Sequence, residues 1–344
     1  MKPFSLLIKP ASADCNLRCG YCFYLEKAGL YPESGRHRMP DEVLERLVSS
    51  YMSTEQPQYQ FGWQGGEPAL LGNEFFLRAV SLQKKYGKPG AIAANGLQTN
   101  ATLIDDELAK TLAGYKFLAG VSLDGPAQIH DRFRKYPDGV GSHSNVLKGI
   151  ETLKKHRVEF NALTLVNSEN VKKGGEVYNY LKSLEIYYHQ YIPCVEFDEK
   201  GGLMPCSIKG PEWGDFLIGI FGEWIKEDVR KVSVRLFDSI LNILVLNRRT
   251  SCNMSDNCCQ YFLVEYNGDV YPCDFFVEKE RKLGNIMKDE WEDLLNSEKY
   301  LGFGRQKSLM NKKCPSCDYL NLCMGDCLKH RLRPGAGAKN LSSL

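Results

Sequence analysis

Between residue 1 and about 200, short apolar runs alternate with amphipathic helical patterns, and this rhythm restricts the fold more than any other feature of the chain. Residues 5–8, 60–63, 91–98, 117–122, 159–166 and 187–192 read as strands. Helical periodicity fills the intervals at 40–53, 74–86, 105–113, 141–155 and 170–184, with Thr102 placed to cap the third helix. Such alternation builds βα units around a parallel sheet. Six strands fall short of the eight of a closed barrel, so the expected class is α/β: a partial (β/α)6 TIM-like barrel. Residues 205–250 read as further helices. Beyond 251 the texture changes. "CQYFLVEYNGDVYPCDF" reads as a hairpin turned at Asn267-Gly268, and "LGNIMKDEWEDLLNSEKY" as a strand end and a helix. The expected division is a barrel with its following helices at 1–235 and a small cysteine-rich domain at 236–344. The Gly- and Ser-rich tail at 333–344 reads as mobile.

Bulk properties exclude more than they select. The chain has 344 residues, 43% of them hydrophobic and 25% charged, and a formal net charge of +2. That balance gives no field drawing it to nucleic acid or a membrane surface, and no apolar run approaches a membrane span. Lys9 and Pro10 interrupt the first apolar run, which reads as a strand and not as a signal peptide, so a cytoplasmic location is expected. There are thirteen cysteines. Without an export signal, metal or cluster binding is expected of them in preference to disulfides.

Cys15, Cys19 and Cys22 fall on one loop just after the first strand, where the active sites of βα folds lie. A structural zinc site usually takes four protein ligands, and Tyr21, Phe23 and Tyr24 offer no fourth. Three thiolates on an iron-sulfur cluster would leave one iron open to something that is not protein. Cys15-x3-Cys19-x2-Cys22, with Tyr21 as its aromatic, resembles the signature of the radical S-adenosylmethionine enzymes. The resemblance implies a [4Fe-4S] cluster on these three cysteines. It implies S-adenosylmethionine chelated to the open iron, with Tyr21 in the cofactor site, and a 5′-deoxyadenosyl radical as the product of cofactor cleavage.

Other stretches fit the same resemblance. "GWQGGEP" ends the second strand; its glycines permit a close backbone approach to a ligand, and Glu67 could pair with an ammonium group. In the family Gly65, Gly66 and Glu67 would hold the methionine amine. Ser122, at the end of the fourth strand, would meet the ribose, and Arg134 the carboxylate, for which a planar guanidinium is suited. Val195 would pack near the adenine, while Cys194 beside it reads as a buried core cysteine.

Towards the C-terminus, Cys252-x5-Cys258 is followed by Cys273, then by Cys314-x2-Cys317-x5-Cys323-x3-Cys327. Two zinc ribbons could use such a set. The pattern also resembles the SPASM extension of peptide-modifying radical enzymes, with two auxiliary [4Fe-4S] clusters. The resemblance assigns the first to Cys252, Cys258, Cys273 and Cys327, and the second to Cys314, Cys317 and Cys323. A further cysteine expected after Cys327 does not occur before Leu344; truncation is the favoured explanation, another ligand or an open site the alternatives. Cys259 is a spare that would point elsewhere.

With "QGGEP", "LQTNATLID", "DGP-x2-IH" and "VYPCDF", the chain resembles the anaerobic sulfatase-maturating enzymes nearly end to end. These oxidise a cysteine or serine of a sulfatase to Cα-formylglycine. After a hydrogen atom leaves Cβ, the radical must lose an electron and the thiol or hydroxyl a proton. Asp274, next to Cys273, would be the base beside an electron acceptor. Tyr24 and Gln64 match positions that contact the substrate, an extended sulfatase segment; Gln98 and Asn100 could line the same cavity. A flavodoxin- or ferredoxin-type protein would be the low-potential electron donor. The alternatives are another SPASM enzyme forming a thioether or crosslink in a ribosomal peptide, and a non-catalytic zinc-binding interaction protein.

Overall fold

The computed structural model describes residues 2–32, 35–332 and 340–344. Ten strands form one sheet in the order β10-β9-β8-β1-β2-β3-β4-β5-β6-β7. β1 (Ser5–Lys9), β2 (Tyr59–Trp63), β3 (Ala93–Thr99), β4 (Leu118–Ser122), β5 (Glu159–Val166), β6 (Tyr188–Pro193) and β7 (Ser233–Val234) run parallel, each to the next. This is the partial barrel. The register pairs Ile8 with Trp63, Thr99 with Val121, and Val166 with Pro193. It brings the C-terminal strand ends to one rim, where the loops carrying functional side chains emerge.

α1 (Asp41–Ser53), α2 (Gly72–Tyr86), α3 (Asp106–Gly114), α4 (Ala127–Phe133), α5 (His143–Lys155) and α6 (Gly174–Ser183) follow the strands in turn. α1 shows why they pack. Val43, Leu44, Leu47, Val48 and Tyr51 recur at helical spacing and are buried. Tyr51 meets Phe61 edge-on at 5.2 Å and donates its hydroxyl to the Phe4 carbonyl at 2.8 Å. Each such leucine stabilises the fold by about 1.5–3 kcal/mol. The cap of α3 corrects the sequence reading. Asp105, not Thr102, accepts from the Leu108 N–H at 2.8 Å, because only the residue at the cap position reaches the third amide of the helix. Thr102 donates to Asn100 Oδ1 instead, at 2.7 Å.

α7 (Gly210–Glu227) and α8 (Arg235–Leu246) flank β7. The expected hairpin, β8 (Tyr261–Glu265) and β9 (Asp269–Tyr271), turns at Gly268, whose φ of +87° suits glycine. It does not stand apart from the barrel. β8 pairs in parallel with β1, Ser5 opposite Tyr261 and Lys9 opposite Glu265, and β10 (Gly284–Asn285) closes that edge. Sequence periodicity missed this pairing because it joins strands far apart in the chain. α9 (Trp291–Asn296), α10 (Glu298–Gln306), α11 (Leu320–Cys323) and α12 (Leu328–Arg331) complete the C-terminal region. The tail expected to be mobile lies partly outside the described residues. Its end returns to the barrel: Gly210 N–H donates to the Ser343 carbonyl at 3.1 Å, and Ser342 Oγ to Asp326 at 2.5 Å. Among the described residues no helix is long and apolar enough to cross a membrane.

Candidate active site

The three-cysteine loop lies flat on the glycine strip that ends β2. Gln64 N–H donates to Ile8 O, Gly66 N–H to Ser12 O and Glu67 N–H to Asp14 O, at 2.7–2.8 Å. A Cβ on Gly66 would fall 1.9 Å from the Asp14 carbonyl oxygen, and one on Gly65 2.9 Å from that of Ser12. The close approach expected of these glycines is therefore to the cysteine loop. Glu67 also has protein partners. It is fully buried; Thr99 Oγ1 and Asn100 N–H donate to it at 2.7 Å and Ala69 N–H at 3.0 Å. Oε1 takes the bonds from Thr99 and Ala69, while Oε2 accepts the one from Asn100 and keeps a lone pair. That lone pair and main-chain atoms of the strip remain for an ammonium group.

The opposite wall of the loop is held by Asp124, which sequence reasoning missed. Arg18 N–H and Gly20 N–H donate to the carbonyls of Lys135 and Phe133 at 2.7 and 3.0 Å. Asp124, 1% exposed, accepts from Tyr21 Oη, from Arg134 Nε at 3.1 Å and from Leu165 N–H at 3.0 Å. Holding Arg134 by Nε leaves its two terminal nitrogens for a carboxylate. The signal was present in "SLDGP", an acid two residues past a strand end. Ser122 Oγ accepts from Gln98 Nε2 at 3.1 Å, and Val195 is buried. Cys194 is core, as expected, packed with Cys206 and Tyr21. Asn100 reaches the loop itself, donating to Asn16 Oδ1 at 2.9 Å and to Cys15 Sγ at 3.7 Å.

Beside this loop stands the acid expected to act as base. Phe23, next to Cys22, and Phe275, next to Asp274, have ring centroids 4.9 Å apart. Asp274 is buried and accepts from Tyr261 Oη at 2.8 Å, and that hydroxyl lies 3.2 Å from Cys273 Sγ. Tyr24, expected to touch a peptide, is 2% exposed, with its hydroxyl bound to Glu265 and Lys9 Nζ 4.2 Å from its ring centroid. It can meet a peptide with little more than a ring edge. Gln64 is only half-buried. Burial pushes the Lys9 ammonium below its ordinary pKa, against the pull of Asp274 and Glu265. Tyr261, Lys9 and Glu265 were also missed; the sign was a charge ending each of the apolar runs "SLLIK" and "YFLVE".

Both thiol sets suit an iron-sulfur cluster. All thirteen cysteines are free. Burial, then the charge of Glu67, pushes the Cys15 thiol up to about 12; burial, opposed by Arg134, takes Cys19 to about 11. Thiols so placed become thiolates only against a cationic centre. In the C-terminal set Cys258 and Cys273 pack against the apolar cluster of Phe276, Phe303 and Leu328, and Leu328 directly follows Cys327. Two cations are buried among them, Lys307 at 0% and Arg331 at 2% exposure, and Arg331 Nε has no hydrogen-bond partner. Anionic ligands would complete that charge balance. Cys314, Cys317 and Cys323 sit on a short helical turn (Cys314–Ser316), just past it, and at the end of α11; the last two are exposed. Cys259 points away, its thiol donating to Tyr300 O at 3.4 Å.

Comparison with known proteins agrees with this geometry. Residues 10–181 match the radical SAM superfamily, and residues 252–318 match an iron-sulfur cluster-binding domain. The serine-type anaerobic sulfatase-maturating enzyme of Bacteroides thetaiotaomicron is 39% identical over 100% of this chain and 87% of its own length. The chain belongs to the anaerobic sulfatase-maturating enzymes. The cysteine-type enzyme of Clostridium perfringens is 38% identical over 96% of this chain and 90% of that protein. A solved structure of native anSMEcpe with bound AdoMet and the Kp18Cys peptide superposes with a TM-score of 0.92 at 38% identity, covering 99% of this chain and 94% of that one. Members of this family are radical SAM enzymes, and their cofactors are [4Fe-4S] clusters and S-adenosylmethionine.

Proposed function

We infer that this chain is a radical SAM oxidoreductase that converts a cysteine or serine of a sulfatase to Cα-formylglycine (3-oxoalanine). The observation that carries the reading is the 4.9 Å contact of Phe23 with Phe275, which sets the three-thiol loop beside Asp274 and Cys273. Cys15, Cys19 and Cys22 would hold the reactive cluster, Cys252, Cys258, Cys273 and Cys327 the first auxiliary cluster, and Cys314, Cys317 and Cys323 the second. When bound, these clusters and S-adenosylmethionine supply a 5′-deoxyadenosyl hydrogen-atom acceptor and an electron sink.

The rest falls to side chains. The main chain of Gly65, Gly66 and Glu67 receives the cofactor amine, Arg134 its carboxylate, Ser122 the ribose, and Tyr21 and Val195 the adenosine side. Gln64 faces the peptide, an extended sulfatase segment that can bring one Cβ to the rim. Asp274 takes the thiol or hydroxyl proton as Cβ is oxidised. Tyr261 holds its Oδ1 at 2.8 Å, which leaves Oδ2 for the substrate. A cysteine target leaves as a thioaldehyde, which water converts to the aldehyde with loss of hydrogen sulfide. The electron for cofactor cleavage would come from a low-potential flavodoxin or ferredoxin in the cytoplasm.

The test is to incubate the reduced enzyme and S-adenosylmethionine with two peptides differing only in cysteine or serine at the target. Mass spectrometry should find formylglycine in at least one, with matching 5′-deoxyadenosine. Deoxyadenosine without an oxidised peptide would sink the substrate assignment.

A further inference from the structure

Lys307 follows α10 and is 0% exposed, yet no carboxylate among the described residues lies within ion-pair distance of it. Its Nζ donates to the carbonyl of Asn253 at 2.8 Å and to that of Asp326. Asn253 adjoins Cys252, and Asp326 adjoins Cys327. One ammonium therefore clasps the two segments that bring in opposite ends of the first auxiliary thiol set. The Asp326 carboxylate is engaged elsewhere, with His330 Nδ1 at 2.7 Å and Ser342 Oγ at 2.5 Å. The Lys307 carbonyl in turn accepts from Arg331 Nη2 at 3.0 Å, so a second buried cation is anchored on the first.

A buried cation with only carbonyl partners is expensive. It persists where an anion completes the site. Burial lowers the Lys307 pKa, as does Arg331, and the groups that pull it back up are Asp326 and then the thiols of Cys258 and Cys327. A cluster held by four thiolates is anionic, and its reduction adds one more negative charge to a region shut off from water. Positive charge fixed there favours the reduced form, and net charge is one of the levers that set cluster potentials. The N-terminal loop contrasts with this: its thiols lie beside the buried carboxylates Glu67 and Asp124, with Arg134 the opposing cation.

We propose that Lys307 is a positioning residue of the first auxiliary cluster, joining its Cys252 and Cys327 segments and raising its reduction potential so that it accepts the electron released by the oxidised substrate. The proposal rests on the reading that this thiol set holds a cluster.

The test is potentiometry followed by electron paramagnetic resonance. It uses reconstituted protein in which Cys15, Cys19 and Cys22 are alanine, so that only auxiliary clusters report. Lys307→Gln keeps a neutral donor on a side chain one bond shorter and removes the charge. Its reduced-to-oxidised ratio at a fixed potential should fall about tenfold, about 59 mV for one electron. Lys307→Arg keeps the charge and should stay within about twofold of Lys307, about 18 mV on the same scale. Full iron content with an unshifted potential in Lys307→Gln would overturn the proposal, as would an equal shift in Lys307→Arg. If Lys307→Gln loses its iron, retention by Lys307→Arg supports the charge, and loss by both overturns it. Formylglycine formation by the intact enzyme is measured separately, so a wrong substrate assignment is not mistaken for a wrong role of Lys307.

Discussion

Cys15, Cys19 and Cys22 share one loop, braced by carboxylates: Glu67 closes on Thr99 and Asn100, and Asp124 on Tyr21 and Arg134. Cys252, Cys258, Cys273 and Cys327 arrive from four segments, braced by the buried cations Lys307 and Arg331. A loop that carries its own ligands, on a barrel with its own core, can lose its cluster and keep its fold. A set gathered from distant segments is part of the fold it holds together. The first site should thus fail chemically and the second should fail structurally as well.

The largest break of that contrast is Cys19→Ala. It should bring 5′-deoxyadenosine to background while the auxiliary irons and the melting transition persist; a chain that unfolds would show the loop to be structural. Next comes Asp274→Asn, which should still cleave cofactor yet lower formylglycine by about 10²–10⁴-fold, the usual worth of a general base. Full product formation by that variant would remove Asp274 from the role.

Removing the iron should separate the two regions by stability. Amide exchange in 314–330 should quicken by at least about tenfold, while β1 to β6, buried under their helices, stay protected. Equal acceleration in both regions would erase the distinction. Smallest is Tyr261→Phe, which removes one hydrogen bond to Asp274, about 1 kcal/mol, and so about a fivefold loss in product at unchanged iron content.

What could be read from the sequence follows the same division. Cys15-x3-Cys19-x2-Cys22, the glycine strip and the Asn267-Gly268 turn were legible because each is local, and so were the six principal strands. The partners of Glu67 were not legible, because a sequence shows an acid but not that Thr99 and Asn100, at the end of β3, donate to it. Asp124 and Lys307 acquire their roles through partners far along the chain, Tyr21 and Asn253 among them, and Tyr261 through Asp274 across the hairpin. The pairing of β8 with β1, which turns the C-terminal hairpin into an edge of the barrel sheet, is of the same kind. Thr102 failed as a cap for a smaller reason: it lies three residues before Asp105, which holds the position.

The central claim is that the open site on the N-terminal loop removes a hydrogen atom from Cβ of a peptide side chain beside Asp274. A target peptide deuterated at Cβ of its cysteine or serine tests this directly. The account predicts deuterium in 5′-deoxyadenosine, accumulating in step with formylglycine. Formylglycine accompanied by unlabelled 5′-deoxyadenosine would contradict it.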